Sequence, residues 1–148
     1  MGLYYLDTSA LVKLYVQEAG TQSLLGLTGS SNNRFAVLSL ARVEMHSAVR
    51  RRQREGDLDA QNADHILVRF DHHFEARFIR QLINEALLDI AVTLLDRYTL
   101  RAYDAVQLAG CIVLRTSSGY DAPIFVCSDR RLIGAAEAEG LAAVNPVA

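Results

Sequence analysis

Short apolar runs alternate with amphipathic stretches along the chain. Residues 3–6 are apolar with two tyrosines, the signature of a buried strand. Asp7, Thr8 and Ser9 follow, and any of them can cap a helix over residues 10–16. A second helix is predicted over 18–27, ended by Gly29 and the polar stretch 30–33. Residues 35–38 read as the second strand, and 40–54 as a helix stopped by Gly56. Over 58–74, Ala63, Ile66, Leu67, Phe70 and Phe74 fall three or four apart and form one helical stripe. Residues 77–80 predict a short third strand. Ile83, Ala86, Leu87, Ile90, Ala91, Leu94 and Leu95 make the cleanest stripe in the chain. A helix over 102–114, a strand over 124–127, a helix over 132–139 ended by Gly140 and an edge strand over 141–144 complete the pattern.

Strands that alternate with helices predict an α/β fold, an α/β/α sandwich around a mostly parallel sheet of four or five strands. Parallel sheets of this kind bind ligands beyond the carboxyl ends of their strands. The 148 residues suit one domain. No internal repeat or linker appears. No apolar run is long enough to span a bilayer, and the first residues lack the basic and apolar regions of a signal peptide. Cys111 and Cys127 lie in apolar runs and read as buried free thiols, which points to the cytoplasm. The net charge of −2 does not announce a nucleic-acid binder, so that case depends on local chemistry.

Four acids sit where ligands are expected. Asp7 follows the first strand, Glu44 lies early in the helix after the second, Asp104 lies near the start of the 102–114 helix, and Asp129 follows the 124–127 strand. Each has an ordinary structural alternative. Asp7 and Asp129 can simply cap helices, and Glu44 and Asp104 can complement helix dipoles. Ser128 caps as well as Asp129, so the turn there has no special need of a carboxylate, and Glu44 is the sole acid of a basic helix. Two carboxylates about 5 Å apart repel by roughly 3 kcal/mol at an effective dielectric near 20. Four together call for a cation or a shared proton, and hard oxygen ligands favour magnesium or manganese.

At these residues the chain resembles the PIN-domain family, and within it the VapC toxins of toxin–antitoxin pairs. The blocks that carry the resemblance are YYLDTSALVKLY (4–15), LSLARVEMHSAVRRR (38–52), LRAYDAVQLAGCIVL (100–114) and IFVCSDRRLIGAAEAEGL (124–141). It implies a parallel-sheet α/β/α fold, an acidic pocket for Mg2+ or Mn2+, and endonuclease action on RNA. Asp7, Glu44, Asp104 and Asp129 match the family's acidic residues, and Ser9 matches a supporting polar residue. A homodimer and a small antitoxin partner are also implied, with no membrane association. The alternatives are a PIN module that binds RNA or protein without catalysis, and an RNA-processing nuclease that is not a toxin.

RNA also needs positive charge. Arg50, Arg51, Arg52 and Arg54 cluster at the end of the Glu44 helix, where they either contact phosphate or only complement the helix dipole. Arg69, Arg77 and Arg80 are a weaker candidate, and Lys13 reads as a surface residue. His46, His65, His72 and His73 lack ligand spacing and read as surface or packing residues. No G-x-S-x-G, P-loop or dinucleotide glycine pattern is present. The aspartate that a haloacid-dehalogenase-type enzyme needs two residues after the first is Ser9 here.

Overall fold

The computed structural model describes residues 2–119 and 122–148. In chain order the elements are β1 (Leu3–Leu6), α1 (Thr8–Lys13), α2 (Thr21–Thr28), β2 (Arg34–Leu38), α3 (Ala41–Arg54) and α4 (Ala60–Ala76). Then follow β3 (Ile79–Gln81), α5 (Glu85–Arg97), α6 (Ala102–Ser118), β4 (Ile124–Val126), α7 (Arg130–Ala138) and β5 (Ala142–Val144). The strands form one parallel sheet in the order β3-β2-β1-β4-β5. The chain builds outward from β1 to β2 and β3, then returns to the other side of β1 for β4 and β5. The strand order therefore reverses between β1 and β4, and the crevice at their carboxyl ends is the topological switch point.

Alternation along each strand divides the core into two layers. Leu3, Tyr5, Ala36, Leu38 and Phe125 face α5, α6 and α7. Leu6, Val37 and Val126 face α1 to α4. The predicted stripe of α4 is buried at Ala63, Leu67, Phe70 and Phe74, and Phe70 stacks edge-on to Tyr15 at 5.4 Å. Truncating a fully buried phenylalanine of this kind costs about 3–5 kcal/mol. Helix α6 lies close on the sheet because Gly110 has no side chain: a Cβ there would stand 2.4 Å from Tyr5 Oη and 3.0 Å from Leu38 Cδ1. No helix among the described residues is long and apolar enough to cross a membrane.

Most elements shift by one to three residues from the expected bounds, and for three of them the reason is identifiable. Helix α1 stops at Lys13, because Leu14 and Tyr15 donate to Leu11 and Val12 and tighten the last turn into a 3₁₀ form. Helix α2 starts at Thr21 instead of Glu18. Thr21 Oγ1 accepts from the Glu18 amide, and Gly20 before it adopts φ +93°, outside helical space. Helix α6 runs past its last apolar position to Ser118, with the Thr116 and Ser117 hydroxyls bonding back to Ile112 and Leu114 carbonyls, and stops at Gly119 with φ +74°.

Candidate active site

Asp7 emerges from β1 in extended conformation (φ −71°, ψ 170°) and caps α1. Its Oδ1 accepts from the Ala10 amide at 2.9 Å and the Ser9 hydroxyl at 2.7 Å. The side chain is buried, with Asp7 only 6% exposed. Burial raises its pKa to about 6, against the lowering effect of the two hydrogen bonds; Asp104 adds to the rise and Lys13 opposes it. Asp129 emerges from the neighbouring strand and caps α7, its Oδ1 accepting from Arg131 and Leu132 amides at 2.9 and 3.3 Å. The turn does use the carboxylate, contrary to the expectation that Ser128 could serve equally. Ser128 Oγ is instead buried without a hydrogen-bond partner, alone in this among side-chain atoms of the described residues.

Asp104 lies in the first turn of α6. That helix leads into β4, so its amino end stands at the carboxyl edge of the sheet beside Asp7. Burial raises the Asp104 pKa, Asp129 raises it further, and Arg101 works against both. The three aspartates also converge on Cys127, whose thiol is pushed up to about 12 by burial first and then by Asp7, Asp129 and Asp104. Glu44, half-buried in the first turn of α3, connects to the group through Tyr103: burial raises that phenol, and Glu44 and Asp7 raise it further. The ends of two adjacent strands and the start of α6 thus bring Asp7, Asp129 and Asp104 into electrostatic reach of one another, and Glu44, like Asp7, acts on Tyr103.

A buried amide holds this arrangement. Gln107, 1% exposed, lies one turn after Asp104. Its Oε1 accepts from Tyr5 Oη at 3.1 Å, and its Nε2 donates to Thr8 Oγ1 at 3.2 Å and Tyr103 Oη at 2.7 Å. The bonds tie the start of α6 to the start of α1 and so fix Asp104 relative to Asp7. Sequence reasoning overlooked Gln107; the usable signal was an amide on the otherwise apolar face of α6 that carries Leu108 and Cys111.

Among the described residues no three His, Cys, Asp or Glu side chains are gathered closely enough to enclose an ion by themselves. The donor set nevertheless fits magnesium or manganese. All the candidate ligands are hard carboxylates, and magnesium keeps several waters and takes only one or two carboxylates together with substrate phosphate. Burial first, and then repulsion from Asp104 on Asp7 and from Asp129 on Asp104, raises both groups, and a cation beside them would relieve that cost.

The basic residues divide. Arg50 pairs with Asp64 at 2.9 Å, and Arg52 pairs with Glu18. Arg51 and Arg54 are exposed and without an ion pair among the described residues. Lys13 is buried, not on the surface, and its ammonium bonds Glu18 at 2.8 Å. A cavity of about 410 Å³ lined by Ser9, Lys13, Glu18, Arg51, Arg52 and Glu55 adjoins this region. A larger one of about 590 Å³ lies at the opposite edge of the sheet, with Arg69 and Arg77 in its wall and Arg69 over the Tyr15 ring. Of the histidines, His46 bonds Asp71 at 3.1 Å and His73 bonds Tyr15 Oη at 2.7 Å, both packing roles.

The PIN domain family model matches residues 4–137. The chain belongs to the PIN-domain family. Solved structures agree on the fold. PAE2754 from Pyrobaculum aerophilum superposes with a TM-score of 0.63 at 21% identity, covering 98% of this chain and 90% of that one. FitAcB from Neisseria gonorrhoeae gives 0.63 at 14% identity, with 97% of each chain covered. VapBC2 from Rickettsia felis, bound to a DNA fragment from their promoter, gives 0.63 at 14% identity, covering 97% and 98%. No curated protein sequence matches the chain. For a PIN domain, the switch-point crevice with its three aspartates is where the sheet topology directs a ligand.

Proposed function

We propose that this PIN domain is a metal-dependent endoribonuclease that hydrolyses RNA phosphodiester bonds and acts as the toxin of a toxin–antitoxin pair. The observation that carries the reading is the convergence of Asp7, Asp104 and Asp129 on one crevice beside Cys127. Asp7, Asp104 and Asp129, with Glu44, would hold Mg2+ or Mn2+. Such an ion lowers the pKa of water and neutralises charge on a phosphodiester. Ser9 orients Asp7 through its hydrogen bond, and Glu44 orients the attacking water. Gln107 keeps the α6 wall in register with α1. Because water attacks phosphorus, the chemistry does not require a free 2′-hydroxyl, and preference for RNA comes from shape and 2′-hydroxyl contacts. Arg51 and Arg54 contact the RNA backbone, with Arg50 and Arg52 beside them.

The VapBC and FitAB names of the similar structures support a small antitoxin partner for this chain. A single nuclease domain working as a homodimer in the cytoplasm completes the reading. The test is cleavage of RNA by the purified protein with Mg2+ or Mn2+, with chelator, and with Asp7→Asn. Metal-dependent cleavage that the variant lacks supports the proposal, and no cleavage of any RNA by the wild type contradicts it. A second reading, a PIN module that binds RNA or protein without catalysis, draws on the absence of three closely gathered ligands among the described residues. RNA binding without turnover in the same assay selects it.

A further inference from the structure

The network that ties α6 to α1 has a hydrogen to spare. Tyr5 Oη donates to Gln107 Oε1, so the amide must present Nε2 to Thr8 and Tyr103. The Thr8 and Tyr103 hydroxyls also bond each other at 3.0 Å, which uses one hydroxyl hydrogen. The four side chains hold five polar hydrogens, one on each hydroxyl and two on the amide, and the four bonds among them use four. One hydroxyl hydrogen of the Thr8–Tyr103 pair is left over, with no further acceptor among the described residues. The pair is half-buried, and Tyr103 directly precedes Asp104 and lies within electrostatic reach of both Asp7 and Glu44. A phenol is the stronger donor of the two hydroxyls, and hydrogen bonds to an anionic oxygen are the strong ones. A crevice of carboxylates repels a phosphodiester, and a neutral donor fixed in its wall offsets that repulsion without competing for the cation.

We infer that the Tyr103 hydroxyl is a substrate-contacting donor that engages a non-bridging oxygen of an RNA phosphodiester, pre-aimed by Gln107 and Thr8. The inference rests on the nuclease reading above. It makes Gln107 a positioning residue that orients the phenol without touching RNA.

Steady-state cleavage of a short RNA with Mn2+ tests it, comparing wild type, Tyr103→Phe and Thr8→Val, with the scissile phosphate either normal or a stereopure phosphorothioate. Tyr103→Phe is expected to lower kcat about 10- to 100-fold. KM should change less than about threefold, and the melting temperature should stay within a few degrees. Sulfur at the contacted oxygen should slow the wild type by a larger factor than it slows Tyr103→Phe, since the two changes remove the same bond. An active wild type matched by Tyr103→Phe overturns the inference alone. So does a loss carried by Thr8→Val but not by Tyr103→Phe, or a sulfur effect of equal size in wild type and Tyr103→Phe. An inactive wild type overturns the nuclease reading and this inference with it.

Discussion

Asp7 and Asp129 perform the same backbone task on adjacent parallel strands. Each leaves its strand extended, caps the next helix and accepts from amides through Oδ1. Their surroundings differ. Asp7 is 6% exposed, with a pKa raised to about 6, whereas Asp129 is exposed. A capping bond needs only an oxygen, which asparagine supplies as well. Burying an anion without a paired cation serves no capping purpose and costs stability. The contrast separates the structural from the chemical use of one motif, and the chemical use is strongest at Asp7.

The largest expected effect follows from that contrast. Asp7→Asn preserves the cap and should lower RNA cleavage by about 10²- to 10⁴-fold, with Asp129→Asn costing less. Steady-state rates and circular dichroism on both variants check this. If Asp7→Asn unfolds the protein although the capping oxygen is retained, the carboxylate serves the fold, and the chemical reading of Asp7 fails.

The pH dependence of metal-free stability gives the next effect. Asp7 binds its proton more tightly folded (about 6) than unfolded (the ordinary 3.8), so folding takes up a proton between roughly pH 4 and 6. Stability from this group is therefore full below about pH 4 and is lost as pH rises through 6, a change of about 3 kcal/mol. Chemical denaturation in chelator should show that decline in wild type and a flatter profile in Asp7→Asn, whose stability at pH 8 should exceed wild type. A wild-type curve that rises between pH 4 and 6 with the same slope in the variant would contradict the assignment.

Smaller still, Gln107→Leu should destabilise by about 1–3 kcal/mol, because it strands the buried Tyr5 hydroxyl and frees the α6 start. Cleavage should fall with it, through displacement of Asp104 relative to Asp7. Urea denaturation and rates measured well below the midpoint separate the two effects. The smallest change is expected for Arg51→Ala and Arg54→Ala. Each should weaken RNA binding with little change in kcat, and reduce the slope of log affinity against log salt by about 1. A filter-binding series across salt concentrations reads this directly; unchanged slopes would return these arginines to the role of helix-dipole complements.

Much of the architecture was legible because it depends on local periodicity. β1, the α4 stripe and the α5 stripe follow from spacing alone. The parallel sheet then obliges Asp7 and Asp129 to share an edge. What spacing could not convey was the partner of each polar group. Gln107 bonds Tyr5 and Thr8 from about a hundred residues away, so a single amide in an apolar helix carried no local sign of its contacts. Lys13 looked like a surface cation because its partner Glu18 lies across the tight turn after α1, and Arg52, which shares that glutamate, comes from α3. The end of α1 was equally hidden, since Leu14 to Val16 stay apolar while the backbone leaves the α form. Four ordered blocks made the family readable even so, because strand-then-acid turns recur at the positions the topology joins.

Calorimetric titration of the metal-free protein with Mn2+ at pH 7.5, wild type beside Asp7→Asn, bears most directly on the central claim that the aspartates form a divalent-cation site. Saturable uptake by the wild type and at least about tenfold weaker binding by the variant are expected, since losing even a residue that only hydrogen-bonds to a metal ligand costs about 10- to 100-fold. No uptake by the wild type, or equal uptake by both, would contradict it.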